Sequence, residues 1–158
     1  MARLGNPLIY DLLAVADGLA LQAGPLNLRK TSMRRAVSSA YYGAFHALCF
    51  ICASEFVGWN KTGLIEPVYR MLDHGTAKNR LAGKEAACMM PEISDIGTRF
   101  KGLQEARHAA DYSTPALTVR RNETLNHITN ARRIVELIES LGSEDRLKLA
   151  ILLITKAR

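Results

Sequence analysis

The 158-residue chain is 48% hydrophobic and 23% charged, proportions that suit one globular domain whose core holds without disulfides. Its formal charge of +6 favours a polyanionic partner such as RNA, DNA or an acidic protein, while serving equally as a plain solubilising surface. The first residues show no secretory pattern, no run of about 18 apolar residues suggests a membrane span, and the odd cysteine set of Cys49, Cys52 and Cys88 points to reduced thiols in the cytoplasm.

Frequent Ala and Leu with few aromatics lean towards helix over sheet, so the chain reads as one all-α domain over 1–158 that ends in an extra C-terminal helix over 143–156. The first helix starts at Asn6, a good N-cap, with Pro7 in its first turn, and runs to Gln22 or Ala23, where Gly24-Pro25 stops it. Its expected apolar stripe is Leu8, Leu12, Val15, Leu19 and Ala23. The second helix spans Thr31 to Phe56. Val37, Tyr41, Ala44, Leu48 and Ile51 line one side, and Tyr42, His46, Cys49 and Ala53 nearly the opposite one. A helix apolar on both sides is central and buried.

Between Gly58 and Pro91 the pattern is irregular, with a short helix over Leu64 to Leu72, a turn over Asp73 to Thr76, and a polar, mobile stretch from Lys78 to Cys88. The third helix covers Pro91 to Ala110, its stripe running Ile93, Ile96, Phe100, Leu103, Arg107, Ala110. After the break at Ser113-Thr114-Pro115 comes a fourth helix, Ala116 to Leu141, with Leu125, Ile128, Ala131, Val135 and Ile138 inward. Ser143 caps the last helix, whose stripe is Leu147, Ile151 and Ile154.

Arg107 stands on this third stripe where a hydrophobe is expected. An arginine on an apolar face is paired, reaches water, or binds an anion. Asp111, one turn on, offers an i,i+4 pair; a phosphate is the functional alternative for the planar donor fork. His108 is the neighbouring group suited to proton transfer, although adjacent helical residues point about 100° apart and converge only where the helix frays. On the second helix Arg35, Ser39, Tyr42 and His46 form a polar row. That row is either an internal hydrogen-bond network or the wall of an RNA or nucleotide cleft. Arg120 and Arg121 do not converge with His127, and His74 sits in a turn without an assigned role. Cys49-x-x-Cys52 lies in an apolar run without a second pair or spaced histidines, so it reads as core packing over redox or zinc chemistry. No Gly-rich phosphate loop, H-E-x-x-H, G-x-S-x-G or paired-Cys zinc pattern is present, which argues against redox, zinc-hydrolase and P-loop functions and predicts neither metal nor cofactor.

The segment Arg34-Arg35-Ala36-Val37-Ser38-Ser39-Ala40-Tyr41-Tyr42-Gly43-Ala44-Phe45-His46-Ala47 resembles the second helix of small bacterial and archaeal HEPN proteins (higher eukaryotes and prokaryotes nucleotide-binding). Arg107-His108-Ala109-Ala110-Asp111-Tyr112 resembles the R-x-x-A-D-Y segment that ends their third helix, and the order and spacing of the two segments also match, over roughly residues 6 to 141. The resemblance implies an up-and-down bundle of four to five helices with its core in 6–141, often a homodimer, that binds RNA or nucleotide. Many members are metal-independent endoribonucleases of toxin–antitoxin or defence systems; others are non-catalytic partners of a small nucleotidyltransferase. It implies Arg107, His108, Asp111 and Tyr112 as the catalytic cluster and Arg35, Ser39, Tyr42 and His46 as RNA- or nucleotide-binding residues. Where the family's motif carries its histidine, this chain carries Asp111 and Tyr112. In a nuclease of this kind His108 would take the ribose 2′-OH proton, and Arg107 would stabilise the charge growing on phosphorus.

Overall fold

The computed structural model describes residues 2–156, among which there are eight α-helices and no strand. The longer ones are α1 (Pro7–Ala20), α2 (Leu26–Phe56), α6 (Pro91–Tyr112), α7 (Arg121–Ser140) and α8 (Ser143–Ile154); α3 (Thr62–Tyr69), α4 (His74–Leu81) and α5 (Lys84–Ala87) are short. α2 is central, touching α1, α3, α6, α7 and α8. Val37, Tyr41, Ala44, Leu48 and Ile51 of one face are all buried, as are Cys49 and Ala53 of the other. By length and composition α2 is apolar enough to cross a membrane, contrary to the sequence expectation, but 83% of its most apolar window is buried inside the bundle. Burial also pushes the Cys49 and Cys52 thiols up to about 12, so both are protonated packing groups.

α1 starts as expected, with the Asn6 side chain accepting from the Leu8 amide and Pro7 at the first helical position. Its buried face differs from the predicted stripe: Ile9, Leu13, Ala16 and Ala20 face the core, whereas Leu8 and Val15 are 43% and 51% exposed. Both registers carry apolar residues at three- and four-residue steps. The close crossing with α2 decides between them, because Gly43 brings the Leu13 side chain within 3.1 Å of where a Cβ would stand. α8 behaves likewise. Leu149, Ala150, Leu152 and Leu153 are buried and Leu147 and Ile151 exposed, so this helix belongs to the main core and is not an addition to it. Ser143 is its first residue, and no side chain caps it.

Two further boundaries move. α2 begins at Leu26 after Pro25, and α7 begins only at Arg121, held by the Arg120 amide donating to Glu123 at 2.9 Å. Residues 73–88 are neither a plain turn nor a loose stretch. Asp73 caps α4 by accepting from the Thr76 amide at 2.8 Å, and α4 and α5 bury Ala77, Leu81 and Ala86. α4 lies so close to α6 that a Cβ on Gly97 would stand 2.3 Å from the Leu81 carbonyl oxygen. The Tyr10–Glu139 hydrogen bond and the Asp17–Arg132 ion pair run in opposite sequence order, so α1 and α7 are antiparallel. Arg34–Ala110 and Tyr41–Phe100 place α2 and α6 in the same relation.

Candidate functional site

The polar residues gather where the C-terminal end of α6 meets the first half of α2. Ile93, Ile96, Phe100 and Leu103 bury one stripe of α6, and Arg107 continues it inward, 8% exposed. Its guanidinium lies 5.0 Å over the ring of buried Tyr41 and pairs with Asp111 at 3.6 Å one turn on. Asp111 also accepts from the Ser38 hydroxyl and, at 3.2 Å, from Arg35. Arg34 reaches across from α2 to donate to the carbonyls of Ala110, Ser113 and Thr114, satisfying orphan acceptors at the α6 end. Arg107 is thus held as the i,i+4 pair requires, yet its Nε is buried without a hydrogen-bond partner among the described residues, as is Gln104 Oε1 one turn earlier.

Two cavities flank this helix end. One, of 390 Å³, is bordered by Lys30, Thr31, Arg34 and Arg35 of α2 and by Asp111. The other, of 480 Å³, lies in the groove between α4 and α6. Lys78 stands on one side and Gln104, Glu105, Arg107 and His108 on the other, so Arg107 and His108 do border one space. Asp111 borders the first cavity instead, and Tyr112 is 70% exposed, its ring 4.9 Å from that of His108. The expectation of a single cleft holding Arg107, His108, Asp111 and Tyr112 is therefore not met: Ser38 and Arg35 draw Asp111 towards α2 and the first cavity, while Arg107 and His108 border the second.

The polar row of α2 divides in the same way. Arg35 joins Asp111, and Ser39 is half-buried one residue from Ser38, which makes the bond instead. Tyr42 and His46 lie a turn or more further on, beside α3 and α4, in a cluster of rings with Tyr41, Phe45, Tyr69 and His74. His46 Nδ1 is 2.5 Å from the Tyr69 hydroxyl, and His74 Nδ1 is 2.6 Å from the Tyr41 hydroxyl. Burial lowers the pKa of both imidazoles. His74 is lowered further by Arg107, against a raising effect of Asp73, and His46 by His74. Arg120 and Arg121 are exposed and His127 half-buried.

Sequence reasoning missed Arg34, Ser38 and His74. A serine on the same face as Tyr41 in a buried helix was the available signal for Ser38; nothing local marked His74, whose place comes from the packing of α4. The site as a whole can seat an anion or a polar heterocycle, and among the described residues no group of three or more His, Cys, Asp or Glu is placed to hold a metal ion. No family model, no curated protein and no solved structure matches the chain.

Proposed function

We propose that the chain is an RNA- or nucleotide-binding protein of the HEPN type, a bundle of five principal helices whose ligand lies in the groove between α4 and α6. The observation that carries this reading is the Arg107 guanidinium, which borders one cavity with Lys78, His108 and Glu105, the last paired with Lys78 at 3.8 Å. The basic cavity at Lys30, Arg34 and Arg35 lies beyond the same helix end and supplies further positive charge for a phosphodiester strand. Anisotropy with a labelled single-stranded RNA tests the reading. Lys78→Ala should weaken binding and reduce the salt slope by about 1, and His108→Ala should weaken it with little change of slope. Unchanged affinity in both would remove the groove from the function.

The geometry favours binding over cutting. Asp111 is engaged by Ser38, Arg35 and Arg107 at the place where the resembling family keeps its histidine, which leaves His108 as the remaining base beside Arg107. Incubation of RNA with the protein and EDTA separates the two. A cyclic phosphate product lost in His108→Ala would show a metal-independent endoribonuclease of the toxin–antitoxin or defence kind. Intact RNA leaves a non-catalytic binding module or a nucleotidyltransferase partner. The exposed apolar positions Leu8 and Val15 of α1 support association with a second copy or with such a partner.

A further inference from the structure

The ring cluster between α2, α3 and α4 has a hydrogen-bond logic of its own. Tyr69 accepts from Asn6 Nδ2 at 2.9 Å, and the orientation of that amide is set because Asn6 Oδ1 accepts from the Leu8 amide at 3.1 Å. Among the described residues His46 Nδ1 is the acceptor within reach of the Tyr69 hydroxyl proton, which assigns the donor role in that bond to Tyr69. Tyr41 is 0% exposed, and among the described residues His74 Nδ1 is the partner of its hydroxyl, so that proton also goes to an imidazole nitrogen. With Nδ1 accepting in both rings, each neutral histidine carries its proton on Nε2. Neither Nε2, nor the hydroxyl of half-buried Tyr42, has a hydrogen-bond partner among the described residues, and none of the three is enclosed. The carboxylate nearest in sequence to His74, Asp73, is committed to capping α4.

We propose that His46, His74 and Tyr42 form a recognition site for a flat heterocycle bearing ring carbonyl oxygens, the chemistry of uracil and guanine, with the two Nε2–H groups as fixed donors. His74 precedes Lys78 by one turn on α4, so this site adjoins the groove described above, and the inference rests on the reading of the chain as an RNA or nucleotide binder. Half-exposed aromatic rings give the heterocycle faces to stack on, and the donors are neutral. A site built for phosphate alone would gain from imidazolium, which a hydroxyl proton pointed at Nδ1 opposes. The same arrangement makes the two histidines unsuitable as bases, since the free nitrogen of each already holds its proton.

Long-range ¹H–¹⁵N correlation of the histidine rings, with uridine and inorganic phosphate as separate probes, tests the proposal. Both His46 and His74 should show the Nε2–H tautomer, uridine should shift both rings, and His74→Leu should lose about tenfold in uridine affinity while His74→Gln, which keeps a donor near Nε2, restores most of it. Tyr41→Phe keeps the buried ring and removes only the hydroxyl; it should release the His74 tautomer and weaken uridine binding in a folded protein. An Nδ1–H tautomer in either ring, or rings shifted by phosphate and not by uridine, overturns the proposal. Labelled RNA measured on the same samples keeps the two readings apart. RNA binding with rings silent to uridine sinks this inference alone. Uridine shifts without RNA binding sink the groove reading alone.

Discussion

Residues 57–90 and the long helices around them are built on different principles. α2, α6 and α7 interlock through large enclosed side chains such as Leu48, Ile51, Phe100, Leu103, Ile134 and Ile138. The intervening segment buries little: α3 encloses no residue, and α4 and α5 together enclose Ala77, Leu81 and Ala86. It is held instead by directional contacts, among them Tyr69 to His46 and Asn6, His74 to Tyr41, and Arg80 to the Leu152 carbonyl at 2.7 Å. The lesson is that Lys78 and His74, the groups that the proposed sites would offer a ligand, sit on the part whose position depends on geometry more than on apolar area. Such a segment opens locally at lower free energy than the helices it rests on.

The contrast can be broken first at its strong side. Phe100→Ala should cost about 3–5 kcal/mol in urea unfolding, as for other enclosed aromatics; a loss below 1 kcal/mol would deny α6 its place in the core. Next comes the seam between the two regions. Gly97→Ala forces α4 away from α6 and should cost about 1–3 kcal/mol, with amide exchange rising across 74–81 ahead of α2. Gly102→Ala, in the same helix with nothing within 4 Å of the new Cβ, should instead stabilise by about 0.5–1 kcal/mol. If the two glycine variants behave alike, close packing of α4 is not what holds it.

Acid should separate the two regions further. His46, His74 and His127 have pKa values lowered chiefly by burial, so the unfolded chain binds protons more readily than the folded one near and below the ordinary histidine range. Their contribution is present above about pH 6.5 and is lost as pH falls through the lowered values. Urea midpoints should therefore decline on that side, and exchange in 57–81, where His74 lies and Tyr69 bonds His46, should respond before exchange in α8, which carries no histidine. The smallest effect belongs to the loose region: Leu64→Ala, 63% exposed in α3, should stay within about 0.5 kcal/mol of the parent.

How much of this could be read from the chain follows the same division. The stripe of α6 from Ile93 to Ala110 emerged intact, as did one face of α2; on the other face Cys49 and Ala53 are buried, while Tyr42 and His46 are half-buried. α1 and α8 are apolar in more than one register, and periodicity does not choose between Leu8–Val15 and Ile9–Leu13; the crossing at Gly43 does. At the site, Arg107 and Asp111 were legible because an i,i+4 pair is local. The roles of Ser38, Arg34 and His74 were hidden because each depends on a partner at least 33 residues away.

The stretch from Asn60 to Leu64, which leads into the first turn of α3, is exposed and joins halves that are otherwise in contact, since α2 packs on α6, α7 and α8. Residues 58–90 are in this sense an excursion, entered from α2 and left into α6, while Arg34 pins the beginning of the first helix to the end of the second. Covalent continuity at Lys61 is then dispensable to the assembled form. A protease nick there should give two fragments that co-elute as one particle, and separately expressed pieces 1–60 and 61–158 should complement each other when mixed. Fragments that part on a sizing column after a single cut would show that the excursion, and not the helix seam, closes the molecule.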